Sequence, residues 1–446
     1  MRTEKDKIGE MNLEDDKLYG IQTARAAENF ALDYKRTDLQ LVYAIVTIKK
    51  AAASTYKKLG IGKEGVYEAI CDACDTILSG KVDDSFVTNA LQGGAGTSTN
   101  MNVNEVITNL SLQKLGFSRG RYDIIHPLDD VNRGQSTNDV YPTALRIAAI
   151  KKLRALSDNC ASLQQALQIK ENEFEDIKKL GRTELMDAVP ITLGREFGAY
   201  AQAIARDRWR IYKVEERLRQ VNIGGTAVGC GDNANRKYRI GVIEELRELT
   251  GIGLATAEYP MDITQNNDVF VEVSGLLKAL SVNLTKIAND LRLMNSGPNG
   301  GLSEITLQPL QMGSTIMPGK VNPVLPEMVM QISMKVMAND YAITMAASRG
   351  EFELNAFFPL IADSLLDNLT LLTNATQLFR TKCIETLKPN IKRCQELLEH
   401  SYAFATAYTN SLGYDKVSEI IQESDGNPEK VRETLNEINQ SNPSNS

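Results

Sequence analysis

The sequence predicts a mainly α, all-helical chain in three parts around a central bundle of long helices. Three observations predict it. Apolar residues recur at three- and four-residue spacing over unusually long stretches, and alternating strand patterns are scarce. Glycine and proline gather between those stretches, at 91–97, 222–231, 296–301 and 313–323.

The first long helix is read from Leu145, Ala149, Leu153, Leu156, Cys160, Leu163, Leu167 and Phe174, a run without proline or glycine. At about 1.5 Å per residue it spans roughly 45 Å, more than a small core needs, so an extended bundle is expected. Four further helices follow. Phe197, Tyr200, Ile204, Ile211 and Leu218 mark the second, and Val273, Leu276, Leu280, Leu284, Ile287 and Leu291 the third. Val329, Ile332 and Val336 mark the fourth, and Leu365, Leu369, Leu372, Ala375 and Phe379 the fifth. The expected domains are 1–139, an N-terminal helical unit; 140–388, the bundle; and 389–446, a small C-terminal helical unit. Its polar end, residues 439–446, is expected to fray.

At 446 residues the chain exceeds what one hydrophobic core usually serves. A net charge of −7 with 42% hydrophobic residues describes an ordinary globular protein, and nucleic acid is not an expected partner. The N-terminus is charged from its second residue and no run of about 18 apolar residues occurs, so no membrane partner and a cytoplasmic location are expected. Six cysteines are too sparse for a disulfide framework and are expected to be buried thiols. Cys71 and Cys74 have CxxC spacing but no second pair and no nearby histidine, so no metal site is expected. Only His126 and His400 are present, which leaves histidine-based chemistry few candidates.

Chemistry concentrates in four segments. In GSTIMPGKVNPVLPE (313–327), Ser314 and Thr315 lie between glycines and prolines that permit a mobile loop, and Lys320 and Asn322 supply a charge and an amide suited to a carboxylate. QGGAGTSTNMNVNEV (92–106) lacks the lysine of a phosphate loop, but its glycines let the backbone approach a small ligand beside Thr97. Ser136, Thr137 and Asn138 stand at the expected start of the long helix, as helix caps or as donors to an anion. The fourth segment, GRTELMDAVPITLGREF (181–197), carries Thr183 and Glu184.

These segments resemble the aspartase/fumarase superfamily. The first matches seven of the eight fixed positions of GSSxMPxKxNxxxxE, with Thr315 replacing the second serine, and the second is similar to GxGTSxNMNxNEV. The third, QSTNDxYPTAxRIA, resembles aspartases in particular, and the fourth is similar to GRTxLQDAxPxTLGQEF. With YGIQTARAAENF (19–30), the resemblance covers nearly the whole chain.

The resemblance implies a three-domain aspartase/fumarase-like fold and reversible removal of ammonia from L-aspartate to give fumarate, without a cofactor or metal. It implies that Thr97, Ser136, Thr137 and Thr315 hold the carboxylate that gains charge, and that Lys320 and Asn322 hold the other. Asn138 and Thr183 take the amino group, Ser314 is the base, and each site is shared by three subunits of a homotetramer. Glu184 stands where the family has histidine or glutamine, with Met186 for the usual glutamine. The family's histidine pairs with the glutamate that is Glu327 here, so two carboxylates are expected to face one another, which disfavours a fumarase and favours an amine cation. Leu128 and Asp130 alter the loop after His126, which is read as structural, and Thr409–Ser411 replace the family's LNP. Elimination from an N-substituted or otherwise modified aspartate is the alternative substrate reading. A non-catalytic scaffold is the alternative of another class.

Overall fold

The computed structural model describes residues 1–441. Fifteen helices account for most of them: α1 (Ile21–Asn29), α2 (Leu39–Lys58), α3 (Val66–Leu78), α4 (Thr97–Lys114), α5 (Thr137–Glu173), α6 (Leu193–Leu218), α7 (Arg236–Thr250), α8 (Pro260–Gln265), α9 (Asp268–Met294), α10 (Val324–Ala347), α11 (Phe358–Phe379), α12 (Ile391–Glu399), α13 (Thr409–Leu412), α14 (Tyr414–Glu423) and α15 (Pro428–Ser441). Of the polar tail, residues 439–441 close α15 and 442–446 lie outside the described residues. Among the described residues no helix is long and apolar enough to cross a membrane.

Among the described residues the strands form two-stranded ladders. β1 (Arg2–Lys5) and β2 (Glu10–Leu13) are antiparallel, as are β3 (Lys178–Thr183) and β4 (Met186–Thr192). β5 (Gln220–Val221) runs parallel to β6 (Ala255–Thr256), and β7 (Ile305–Thr306) antiparallel to β8 (Lys388–Pro389).

All five helices read from apolar spacing are present as α5, α6, α9, α10 and α11. The seven of these residues that lie in α5, and Phe174 just beyond its end, are each 1% exposed or less, so the periodicity did mark a core face. Full burial of each leucine in it contributes roughly 1.5–3 kcal/mol. On α9 the seam runs Val273, Leu277, Leu280, Leu284, Ile287 and Leu291; Leu277 takes the place expected of Leu276, which restores alternating spacings of four and three.

Packing divides the chain into two compact units. Residues 1–157, 209–279 and 334–373 form the first, and 158–208, 280–333 and 374 onward the second. Each of the five long helices contributes residues to both.

In the first unit, α1 begins after Gly20 with no side-chain cap of its own. Glu105 supplies one from the middle of α4, where it is 1% exposed. Its carboxylate accepts the backbone N–H groups of Gly20, Gln22 and Thr23 at 2.8, 2.9 and 3.1 Å and the Thr23 hydroxyl at 2.6 Å. Burial pushes this carboxyl up to about 7, and those donors oppose the shift. In the second unit Glu304, fully buried, pairs with Lys179 and Arg182 of β3, each at 2.9 Å, and Lys179 also pairs with Glu196 at 2.9 Å. This network fixes the base of the β3–β4 hairpin.

Glu105→Ala leaves three helix-start N–H groups and a threonine hydroxyl buried without an acceptor. Loss of about 3–5 kcal/mol is expected, read as a lowered denaturation midpoint; a midpoint within about 1 kcal/mol of wild type would show that water reaches α1 instead.

Candidate active site

In the first unit, Gly94, Ala95 and Gly96 are consecutive left-handed residues, with φ of 82°, 56° and 92°. They form a tight turn in which Thr97 N–H donates to the Gly94 carbonyl at 3.0 Å, and α4 starts there. A Cβ on Gly96 would lie 2.2 Å from the Tyr141 ring, so that position admits only glycine. The exposed Thr97 hydroxyl donates to the Gly94 carbonyl at 2.7 Å and must rotate to donate to an anion.

At the start of α5, Ser136 and Asp139 cap each other. The Ser136 hydroxyl accepts Asn138 N–H at 3.2 Å, and Asp139 accepts Ser136 N–H at 2.9 Å. The other Asp139 oxygen accepts N–H from Gly224 at 3.0 Å and Thr226 at 2.9 Å. Burial raises this carboxyl to about 7, against the N–H donors and the charge of Lys49. Pro142 lies within α5 and has no N–H for the carbonyl of Asn138, one turn back. The fully buried Asn222 side chain donates to that carbonyl instead, at 3.0 Å. The Asn138 side-chain amide donates to the Ala227 carbonyl at 2.7 Å, which leaves its oxygen as the outward group, the polarity an ammonium needs. Thr137 accepts from Asn100 at 3.1 Å.

In the second unit the loop before α10 is closed on itself. Gly313 N–H donates to the Lys320 carbonyl at 2.8 Å, and the Asn322 amide donates to the Gly313 carbonyl at 2.8 Å. That bond uses one of Asn322's two amide protons and leaves the other for a ligand. Ser314 Oγ accepts the N–H groups of Ile316 at 3.1 Å and Met317 at 2.9 Å. Two donors aimed at one hydroxyl oxygen favour its alkoxide. Thr315 and Lys320 are exposed, and among the described residues Lys320 makes no ion pair. A cleft of about 580 Å³ is lined by Arg292, Asn295, Lys320, Asn322 and Glu327. Glu327, in the first turn of α10, faces Arg292 at 4.0 Å.

Thr183 and Glu184 sit at the exposed tip of the β3–β4 hairpin. Thr183 pairs with Met186, and Glu184 and Leu185 form a two-residue turn with φ of 55° and 66°. Among the described residues no hydrogen bond or ion pair joins them to the Ser314 loop, and Glu184 and Glu327 do not pair within this chain. The structure thus assembles Ser136, Thr137 and Asn138 at one helix start, and Ser314, Thr315, Lys320 and Asn322 in one loop that leads into the first turn of α10, where Glu327 stands.

The sequence reading did not single out Asn100, Asp139, Asn222 or Arg292. The run of asparagines in NMNVNEV was the available signal, since Asn100, Asn102 and Asn104 are all buried. The cysteines are not all buried as expected: Cys71 is half-buried, and Cys230 is exposed because it lies between Gly229 and Gly231 in the loop after β5 and not on a helix face. His126 accepts N–H from Leu128 and Asp129 at 3.2 Å, in keeping with a structural role.

The chain thus carries a hydroxyl row at the start of α5 in one unit and a glycine-bracketed serine loop before α10 in the other. A sequence profile described as lyase matches residues 9–338. An aspartate ammonia-lyase from Helicobacter pylori is 43% identical over 95% of this chain and 91% of its own. A solved fumarate lyase:delta crystallin structure from Brucella melitensis is 44% identical, covers 97% of this chain and 95% of its own, and superposes with a TM-score of 0.93. A class II fumarase from Schistosoma mansoni is 33% identical over 98% of this chain and 95% of its own, also with a TM-score of 0.93. The chain belongs to this lyase family, the aspartase/fumarase superfamily.

Gly96→Ala combines a left-handed backbone with a Cβ inside the Tyr141 ring. A loss of about 2 kcal/mol or more is expected in thermal melting. An unchanged melting temperature would mean that Tyr141 moves aside freely.

Proposed function

We propose that the chain is a carbon–nitrogen lyase that reversibly eliminates ammonia from L-aspartate to give fumarate. The observation that carries this reading is the 43% identity with an aspartate ammonia-lyase along nearly the full length of both chains. The site chemistry supports it.

Removing a proton from the carbon beside a carboxylate builds an aci-carboxylate dianion, so the site must supply donors where that charge grows. Thr97, Ser136, Thr137 and Thr315 supply hydroxyls for it, and Lys320 and Asn322 hold the second carboxylate. Asn138, through its amide oxygen, and Thr183 take the ammonium. Ser314, its oxygen held by two backbone N–H groups, takes the carbon-bound proton as alkoxide; the double bond forms and ammonia leaves from the adjacent carbon. No residue in this scheme requires a cofactor or a metal.

The candidate residues are divided between the two units, which suits sites shared by three subunits of a homotetramer. Exposed Trp209 and Tyr212 on α6 and Tyr341 and Met345 on α10 support assembly through the long helices. The three-domain division at 139 and 388 belongs to the same proposal. A second reading, elimination from an N-substituted aspartate, draws on Glu184 at the open hairpin tip, where an added carboxylate favours a larger or more cationic amine. A panel of L-aspartate, N-substituted aspartates and malate, followed by fumarate's ultraviolet absorbance, separates the two; no fumarate from any amine would sink both.

Ser314→Ala is expected to lower kcat at least about a hundredfold with KM within about threefold, because the base acts on the transition state alone. Near-wild-type turnover would remove serine from the mechanism. Lys320→Met should raise KM and lower kcat/KM together, since an ion pair to a carboxylate exists before and during reaction. An unchanged KM contradicts that assignment.

A further inference from the structure

Lys49 lies in α2, outside every segment that the sequence singled out, and its side chain is fully buried. It donates to Asn132 Oδ1 at 2.7 Å and Gln135 Oε1 at 3.0 Å, and among the described residues it makes no ion pair. Both amides therefore turn their oxygens toward the lysine nitrogen, which acts as donor to each. Asn132 Oδ1 then also accepts the side-chain amides of Asn100 at 3.2 Å and Asn104 at 3.3 Å. Asn100 therefore presents its nitrogen inward, and the same nitrogen donates to Thr137 Oγ1 at 3.1 Å. The amide oxygens of Asn100 and Asn104 are buried without a partner, because both side chains turn their nitrogens toward Asn132 Oδ1. Thr137 is thus an acceptor from within, and its own proton is free to be donated elsewhere.

We infer that Lys49 is a positioning residue: through Asn132 and Asn100 it sets the donor direction of the Thr137 hydroxyl, which then donates to the carboxylate oxygen that gains charge. The inference rests on Thr137 contacting that carboxylate, as proposed above, and adds the residue that acts through it. Without the lysine, the Asn132 amide is held only by its donation to the Gln135 carbonyl at 3.1 Å; when it flips, Asn100 turns its oxygen to Thr137 and the threonine proton is drawn inward. Ground-state carboxylate binding, spread over several donors, changes little. Stabilisation of the dianion is what suffers.

The nitronate of 3-nitropropionate is isoelectronic with an aci-carboxylate, and succinate mimics the ground state. Calorimetric titration of both into the full-length wild type, Lys49→Met, Thr137→Val and the double variant tests the inference. Wild type should prefer the nitronate, and Lys49→Met should lower that preference about tenfold or more while succinate affinity stays within about threefold. In the Thr137→Val background Lys49→Met should add nothing further. An unchanged preference in Lys49→Met, or the same loss with and without Thr137, overturns the inference. If Lys49→Met does not fold, Asn100→Leu cuts the same path and is read in the same cycle, with the same loss expected and the same outcomes decisive. Wild type that binds neither ligand overturns the carboxylate reading and the inference together, whereas wild type that prefers the nitronate but does not turn over L-aspartate overturns only the substrate assignment.

Discussion

The N-terminal end of α5 is organised around the buried carboxylate of Asp139. It accepts N–H groups from Ser136 in its own chain segment and from Gly224 and Thr226 in the loop after β5. An uncompensated carboxylate at that depth would be expelled or protonated, so the three donors must stay where they are. Holding them fixes the direction in which Ser136, Thr137 and Asn138 leave the helix. Pro142 extends the same constraint, because the carbonyl it leaves free is met by Asn222 from the same loop region.

A division of labour follows. Buried charges such as Glu105, Asp139, Glu304 and Lys179 act as clamps, each satisfied by backbone N–H groups or by opposite charge. The groups proposed to meet the substrate are mostly neutral hydroxyls and amides. Neutral donors suit a reaction whose charge appears only in passing: they respond to a developing anion without attracting a permanent counterion in the resting site. Ser314 is the sharpest case, a neutral hydroxyl whose oxygen already faces two backbone N–H groups.

The long helices were legible because burial writes a three-four period into the sequence, and the seam of α5 survives at every position. On α9 the period was ambiguous where Leu276 and Leu277 stand side by side, and only packing decides between adjacent leucines. The β3–β4 hairpin was not legible: its turn uses Glu184 and Leu185 in left-handed conformation where glycine or asparagine would have announced it. The chemistry-bearing loops were legible through resemblance, whereas Lys49, Asn100 and Asn222 were not, since a buried polar residue inside a helical pattern carries no mark of its partner. Those partners lie tens of residues away.

That separation has a kinetic meaning. The bonds that hold the hydroxyl row at α5 to the loop after β5 join residues 84 to 89 positions apart. Closing so large a loop costs chain entropy before any of these bonds can repay it, and contacts of this range slow folding. A nascent chain that has exposed only α5 holds the helix without its binding geometry, since Gly224, Thr226 and Ala227 have not yet been synthesised. The geometry of the hydroxyl row proposed to meet the substrate is therefore set late in maturation, after the helical framework that carries it.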